Sequence, residues 1–152
     1  MDQIGTDQIG PDGPPASQLQ TLTQWECLEL LRRHSVGRVA FTERAMPAIR
    51  PVNYAVVGSQ IVLRTRGDGL AERLDWQVVA FEVDEVDAAR QCGWSVVVTG
   101  TARVPRDLGE LVRLDSVPVV AWAGPDHATA VVITPGQITG RRLVPCDPVP
   151  AL

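Results

Sequence analysis

Lysine is absent from this sequence, and all 14 basic residues are arginines. The absence excludes a lysine Schiff base, a lysine general base and a lysine phosphate anchor, so arginine side chains or backbone groups would have to hold any anion. Acidic residues outnumber basic ones, giving a net charge of −4 and a pI of about 5.1. A general nucleic-acid binder usually carries a strongly basic face, so we expect no nucleic-acid partner.

Cysteine and histidine are scarce and scattered. The three cysteines, Cys27, Cys92 and Cys146, form no C-x-x-C motif, and His34 and His127 are the only histidines. This spacing provides no zinc-type ligand cluster, so we predict no metal site. Haem is disfavoured as a cofactor because these two histidines are its only candidate ligands.

Long apolar runs and a signal peptide are also missing. No run approaches the roughly 18 apolar residues of a membrane-spanning helix. Together with the odd number of cysteines, this predicts a cytoplasmic protein with no membrane partner.

The composition divides the chain into three parts. Residues 1–20 are rich in Gln, Gly and Pro and repeat the sequence DQIG, so we expect this segment to be disordered. Residues 21–144 have the apolar pattern of one folded domain. Residues 145–152 contain three prolines and are expected to form a flexible tail.

Short runs rich in Val, Ile, Phe and Thr fill most of the folded part, and each has the length of a strand. Gly58 and Ser59 join two of these runs in a tight hairpin. A capping box at Thr23 and Glu26 predicts a helix over residues 23–34, and short helices are predicted after Gly69 and around residues 108–114. The predicted strands are VGRVAFTE (36–43), AIRPVNYAVV (48–57), QIVLRT (60–65), VVAFEVDEV (78–86), WSVVVTGTARV (94–104) and ATAVVIT (128–134).

Six short antiparallel strands with few helices predict an all-β fold with small helical additions. Closure into a six-stranded antiparallel split β-barrel would remove the exposed sheet edges. Between the third and fourth strands, Leu70 and Leu74 predict a short helix that begins at a glycine-rich corner. Such a corner can hold a phosphate, with added charge from Arg64 and Arg66. An ordinary corner with solvated arginines is the alternative.

Four segments, PVNYAV, IVLRTRGDGLAERL, VAFEVDEVD and GWSVVVTGTARV, occur in this order and spacing. Together they resemble the FMN-binding split-barrel proteins related to pyridoxamine 5′-phosphate oxidase, especially the short actinobacterial-type branch. The resemblance extends from about Trp25 to Leu143.

The resemblance implies a homodimer with two FMN sites, each at the subunit interface. It places the flavin ring beside one strand, with backbone N–H groups near Val52 and Asn53 contacting ring heteroatoms. It places the phosphate at a strand end and helix start, and it brings further residues from the next strand and from the partner subunit. The implied ring residues are Arg50, Pro51, Val52 and Asn53, the implied phosphate residues are Arg64, Thr65, Arg66, Gly69 and Leu70, and the others are Trp94, Ser95 and Arg141 or Arg142.

One departure from the family pattern concerns the phosphate. Relatives usually have a Lys or an Arg-Lys pair just before the helix that begins here at Leu70, whereas this chain has Gly69 and is one residue shorter. Arg66 is a candidate for the missing charge. The cofactor expectation is therefore FMN, with a deazaflavin or a degenerate site as alternatives.

Two functions follow as hypotheses. The first is an oxidoreductase that acts on a small organic molecule through the bound cofactor, with catalytic residues unknown. The second is a non-catalytic cofactor-binding or carrier protein of the same fold.

Overall fold

A computed structural model describes residues 18–119 and 128–144. Seven strands and three helices lie within these ranges. They are β1 (Gln18–Thr21), α1 (Gln24–Arg32), β2 (Val36–Glu43), β3 (Met46–Val57), β4 (Gln60–Arg66), α2 (Leu70–Leu74), β5 (Val78–Asp87), β6 (Cys92–Arg103), α3 (Leu108–Asp115) and β7 (Ala128–Val144).

The strands form one antiparallel sheet in the order β1-β7-β4-β3-β2-β5-β6, and an additional pairing of β7 with β6 closes it into a barrel. The all-β class and the split-barrel architecture are therefore confirmed. The capping box is also present, since Thr23 Oγ1 accepts from the Glu26 N–H at 3.2 Å and Glu26 Oε2 accepts from the Thr23 N–H at 2.7 Å.

The structure adds one strand, β1, to the six predicted, and one boundary, the end of β7, moves by more than two residues. β1 includes Gln18 to Gln20, which we had assigned to the disordered segment, because pairing with residues 142–144 of β7 orders them. β7 continues through Pro135 and Gly136 instead of ending at Thr134, because a register shift lets its second half pair with β6. The tail at 145–152 and most of the first segment lie outside the described residues.

Alternate side chains of the strands fill the barrel. Phe81, Leu63 and Val39 are fully buried there. Tyr54 stacks edge-on against Phe81 with ring centroids 4.8 Å apart, and its hydroxyl donates to the Leu31 carbonyl at 2.6 Å. Burial raises the pKa of Tyr54 well above its ordinary value. A smaller apolar cluster lies outside the barrel beneath α3 and consists of Val62, Leu114, Ala130 and Val132.

Two glycines of the β6 and β7 strands, Gly100 and Gly140, lack room for a side chain. A Cβ on Gly100 would lie 2.1 Å from the carbonyl oxygen of Thr134, and one on Gly140 would lie 2.5 Å from Cys27 Sγ. Gly100 therefore lets β6 and β7 approach closely, whereas Gly140 leaves room for Cys27 of α1 to pack against β7.

The cysteines differ in state. Cys27 is buried with a free thiol, whereas Cys92 is disulfide-bonded. A disulfide is unusual in the reducing compartment that we inferred from the cysteine count, so the cytoplasmic location stays a prediction. In the described ranges, no helix is long and apolar enough to cross a membrane.

Candidate functional site

The barrel opens between β3 and β4. β2 pairs with β3 from Met46 to Asn53, whereas β4 pairs with β3 only from Val57 back to Asn53, where Arg64 is the partner. Thr65 and Arg66 stay paired with β7 instead. Within the described residues, positions 46–52 of β3 therefore have no strand on their β4 side. We call this opening, between residues 46–52 of β3 and the corner at residues 65–70, the split.

Backbone polar groups line the β3 side of the split. The Tyr54 N–H faces β2, where it donates to the Ser35 carbonyl at 3.0 Å. Antiparallel pairing alternates, so even-numbered residues of β3 turn their backbone groups toward β2 and odd-numbered residues turn theirs toward the split. Two odd positions, Pro47 and Pro51, have no N–H to leave unpaired. The groups that face the split include the Pro51 carbonyl and both the N–H and the carbonyl of Ile49.

This geometry differs from the expected ring contacts. We expected backbone N–H groups near Val52 and Asn53 to be available. By the same alternation the Val52 N–H faces β2, while Asn53 is opposite Arg64 of β4. The available donor on β3 is therefore Ile49, a residue that we had not selected from the sequence.

The corner opposite β3 is built from two glycines with positive φ, Gly67 at 55° and Gly69 at 76°. A small cavity of about 160 Å³ lies here, lined by Thr65, Gly67, Gly69, Leu70, Ala71, Glu72 and Thr129. The first N–H of α2, on Leu70, already donates to Asp68 Oδ1 at 3.1 Å. Because carboxylates of Asp68 and Glu72 lie at this corner, the helix start itself is poorly suited to a phosphate.

The candidate arginines near the split have different surroundings. Arg64 points away from the corner, and its Nη2 donates to the Leu114 carbonyl of α3 at 2.6 Å. Arg66 and Arg50 are exposed, and their guanidinium groups form no hydrogen bond or ion pair with described residues. These two side chains are free to bind an anion, and the charge of Arg50 helps to lower the pKa of Glu43.

Arg73, which was not among the residues predicted from the sequence, forms three hydrogen bonds at the corner. Its Nε donates to the Gly69 carbonyl at 3.2 Å and its Nη2 donates to the Asp68 carbonyl at 2.7 Å. Its Nη1 contacts Glu43 Oε1 at the end of β2. That hydrogen bond is the main reason why the pKa of Glu43 is lowered and that of Arg73 is raised.

No sequence signal pointed to this pair. Glu43 and Arg73 are 30 positions apart, and they meet only in the folded chain, where the end of β2 lies beside α2. We call the contact between Glu43 and Arg73 the corner bridge.

The remaining candidates lie elsewhere on the barrel. Ser95 pairs with Arg141 of β7, and both border a shallow cavity of about 160 Å³. β2 and β5 separate β6 from β3, which corresponds to roughly 14 Å along the sheet. Within one chain the structure therefore brings together the candidates at 50–53 and 64–70, but not Trp94, Ser95 and Arg141 with them.

Trp94 packs at the barrel end against His34, with ring centroids 5.0 Å apart. His34 Nε2 also lies 3.5 Å from Glu85 Oε2. In the part of the chain that the structure describes, no group of three or more His, Cys, Asp or Glu side chains could hold a metal ion. His127, the other haem candidate, lies outside the described residues.

Comparison with known proteins identifies the family. The profile of the pyridoxamine 5′-phosphate oxidase family matches residues 23–142, which is most of the chain. The chain belongs to this family. The match agrees with the resemblance drawn from the four sequence segments.

Individual relatives of the family agree with this assignment. An uncharacterised protein of Mycobacterium tuberculosis is 38% identical over 135 residues, covering 85% of this chain and 88% of that protein. The structure of the FAD binding protein from Mycobacterium smegmatis has a TM-score of 0.69 and 32% identity, covering 80% of this chain and 96% of that one. A conserved protein of unknown function from Corynebacterium diphtheriae has a TM-score of 0.72 and 30% identity, covering 83% and 98%.

Proposed function

We propose that this protein binds a flavin in the split, and that the open edge of β3 is the observation that carries the proposal. The pyrimidine edge of a flavin ring presents both an N–H donor and carbonyl acceptors. The Pro51 carbonyl and the N–H of Ile49 are complementary to these groups. The free guanidinium groups of Arg50 and Arg66 suit an anionic side chain of the cofactor. The Mycobacterium smegmatis relative, named for FAD binding, supports the same class of ligand.

The cofactor within this class is a separate question. FMN is our first expectation from the family resemblance, with FAD suggested by the relative and a deazaflavin as the alternative. The test is an absorbance spectrum of the freshly purified protein, followed by titration with FMN, FAD and a deazaflavin cofactor. Submicromolar binding of one of them supports the proposal, and failure of all three to bind at 100-fold excess contradicts it.

We further propose that the working unit is a homodimer. Trp94, Ser95 and Arg141 lie too far around the barrel to reach the split of their own chain, so a partner subunit would have to supply them. Exposed apolar side chains near the split, including Met46 and Ile49, provide surface for such an interface. Size-exclusion chromatography with light scattering should give twice the chain mass of 16.4 kDa, and a clean monomer would contradict the shared site.

The reaction that we propose is an oxidoreduction of a small organic molecule. A bound flavin supplies hydride or electron transfer, while the protein binds and orients it and keeps water away from one face. Turnover of a reduced nicotinamide with an electron acceptor, dependent on the bound cofactor, would support this activity.

A carrier without catalysis is the second candidate, and one observation favours it. Among the described residues around the split, no side chain is positioned as a general acid. Glu43 is bonded to Arg73, and the Tyr54 hydroxyl is buried and donates to the Leu31 carbonyl. Slow cofactor release with no turnover by any donor would support the carrier.

A further inference from the structure

The resemblance drawn from the sequence implies a cationic phosphate ligand just before the helix that begins at Leu70. This chain has Asp68 and Gly69 at the two preceding positions, and neither carries a positive charge. Arg73, one turn inside α2, reaches back to the same corner. The Gly69 and Asp68 carbonyls hold its guanidinium there at 3.2 and 2.7 Å.

The bonding partner of Arg73 is informative. A guanidinium binds carboxylates and phosphates through the same N–H groups. Glu43 supplies such a carboxylate from a different element, and its side chain is only 32% exposed beside an Arg73 that is 31% exposed. An anion that entered the split from the hairpin side would compete with Glu43 for the same donors.

We propose that Arg73 is a phosphate-binding residue of this protein, in addition to Arg50 and Arg66, and that Glu43 occupies its anion position until a phosphate-bearing ligand displaces it. The inference rests on the proposed flavin site and names one of its binding residues. It also explains why the helix start can be blocked by Asp68, since the phosphate would be held by a side chain of α2 and not by the N–H of Leu70.

Two substitutions have opposite expected effects. Arg73→Gln removes the cation and should weaken FMN binding about tenfold or more, the range for a charge-assisted hydrogen bond. Glu43→Gln removes the competing charge but keeps an oxygen that can accept from Arg73, so FMN should bind about threefold or more tightly. If the corner bridge only braced the fold, both substitutions would weaken binding.

Riboflavin and inorganic pyrophosphate distinguish an effect on phosphate binding from an effect on the whole flavin site. Riboflavin has no phosphate, so its affinity should change less than twofold in either variant. Pyrophosphate, measured by calorimetry, should follow the same order as FMN. Binding of pyrophosphate that depends on Arg73, in a protein that binds no flavin, would keep this inference and reject the proposed function.

A matched control is available in a second bridge between an arginine and a glutamate. Arg103 of β6 and Glu110 of α3 form it, with Nη1 to Oε2 at 2.9 Å, and neither residue belongs to the two segments that border the split. Arg103→Gln and Glu110→Gln should leave the affinity for FMN and for pyrophosphate unchanged. Equal losses of FMN and riboflavin binding in Arg73→Gln, or weaker FMN binding in Glu43→Gln, would overturn the inference.

Discussion

Backbone hydrogen bonding differs between the two sides of the barrel, the β6 to β7 seam and the split. At the seam, β6 and β7 pair continuously from Gly93 and Leu143 to Arg103 and Val132, with one register shift. At the split, β3 and β4 separate after Asn53 and Arg64, and the backbone beyond is left without a strand partner among the described residues. The seam therefore closes the fold, while the split keeps hydrogen-bonding groups available for something that is not part of the barrel.

An added side-chain atom at the seam should lower the unfolding free energy more than one at an open turn. Gly100→Ala places a Cβ against the Thr134 carbonyl, a backbone atom that cannot move aside, and should cost about 3 kcal/mol of unfolding free energy. Gly58→Ala is the control, since no atom lies within 4 Å of its added Cβ and only the positive φ of 62° opposes it. That change should cost about 1 kcal/mol. Urea denaturation measures both, and equal losses would contradict the comparison.

Proline substitutions should distinguish the two edges of β3 itself. Ala48→Pro removes an N–H that faces β2 and should cost about 2 kcal/mol. Ile49→Pro removes an N–H that faces the split, so stability should fall by less than about 1 kcal/mol. Flavin binding should nevertheless be lost in Ile49→Pro. Thermal denaturation and cofactor titration test the pair, and a larger stability loss for Ile49→Pro would show that the split is not open.

The smallest change in unfolding free energy is expected at Glu82 of β5, a strand that lies between the split and the seam in the sheet order. Burial, and then repulsion from Asp84, raises the pKa of Glu82. A carboxyl with a raised pKa favours the folded state below its ordinary value of 4.5, and that contribution is lost as pH rises through the raised pKa.

Glu82→Gln should therefore be more stable than the parent at pH 7.5, by less than about 1 kcal/mol, and equally stable near pH 4. Urea denaturation at the two pH values measures this difference. A variant that is less stable at pH 7.5 would mean that the ion pair with Arg38, whose nearest atoms are 4.0 Å apart, outweighs burial.

Sequence patterns predicted the barrel strands because alternation of apolar side chains is a local signal. Val36 to Glu43 follows it closely, whereas Gln60 to Thr65 was predicted from its β-branched and apolar composition, since Ile61, Val62 and Leu63 are all buried. The second half of β7 escaped prediction because Pro135, Gly136 and Gly140 interrupt the pattern, and only the glycine-mediated approach to β6 makes it a strand.

The residues of the candidate site also fall into those that the sequence predicted and those that it did not. Residues 50–53 and 64–70 were found through a sequence resemblance and lie together around the split. Ile49 was missed because its exposed side chain carries no signal, although its backbone faces the opening. Arg73 and Glu43 were missed because their contact joins α2 to the end of β2 across 30 positions of the chain, which no local spacing records.

The prolines of β3 have a consequence beyond ligand binding. An open strand edge is a template on which another polypeptide chain can add a strand, the first step toward aggregation. Pro47 and Pro51 remove every second donor that such an incoming strand would need. The proposed flavin site thus combines an edge that is open to a small planar molecule with poor strand pairing to other copies of the chain.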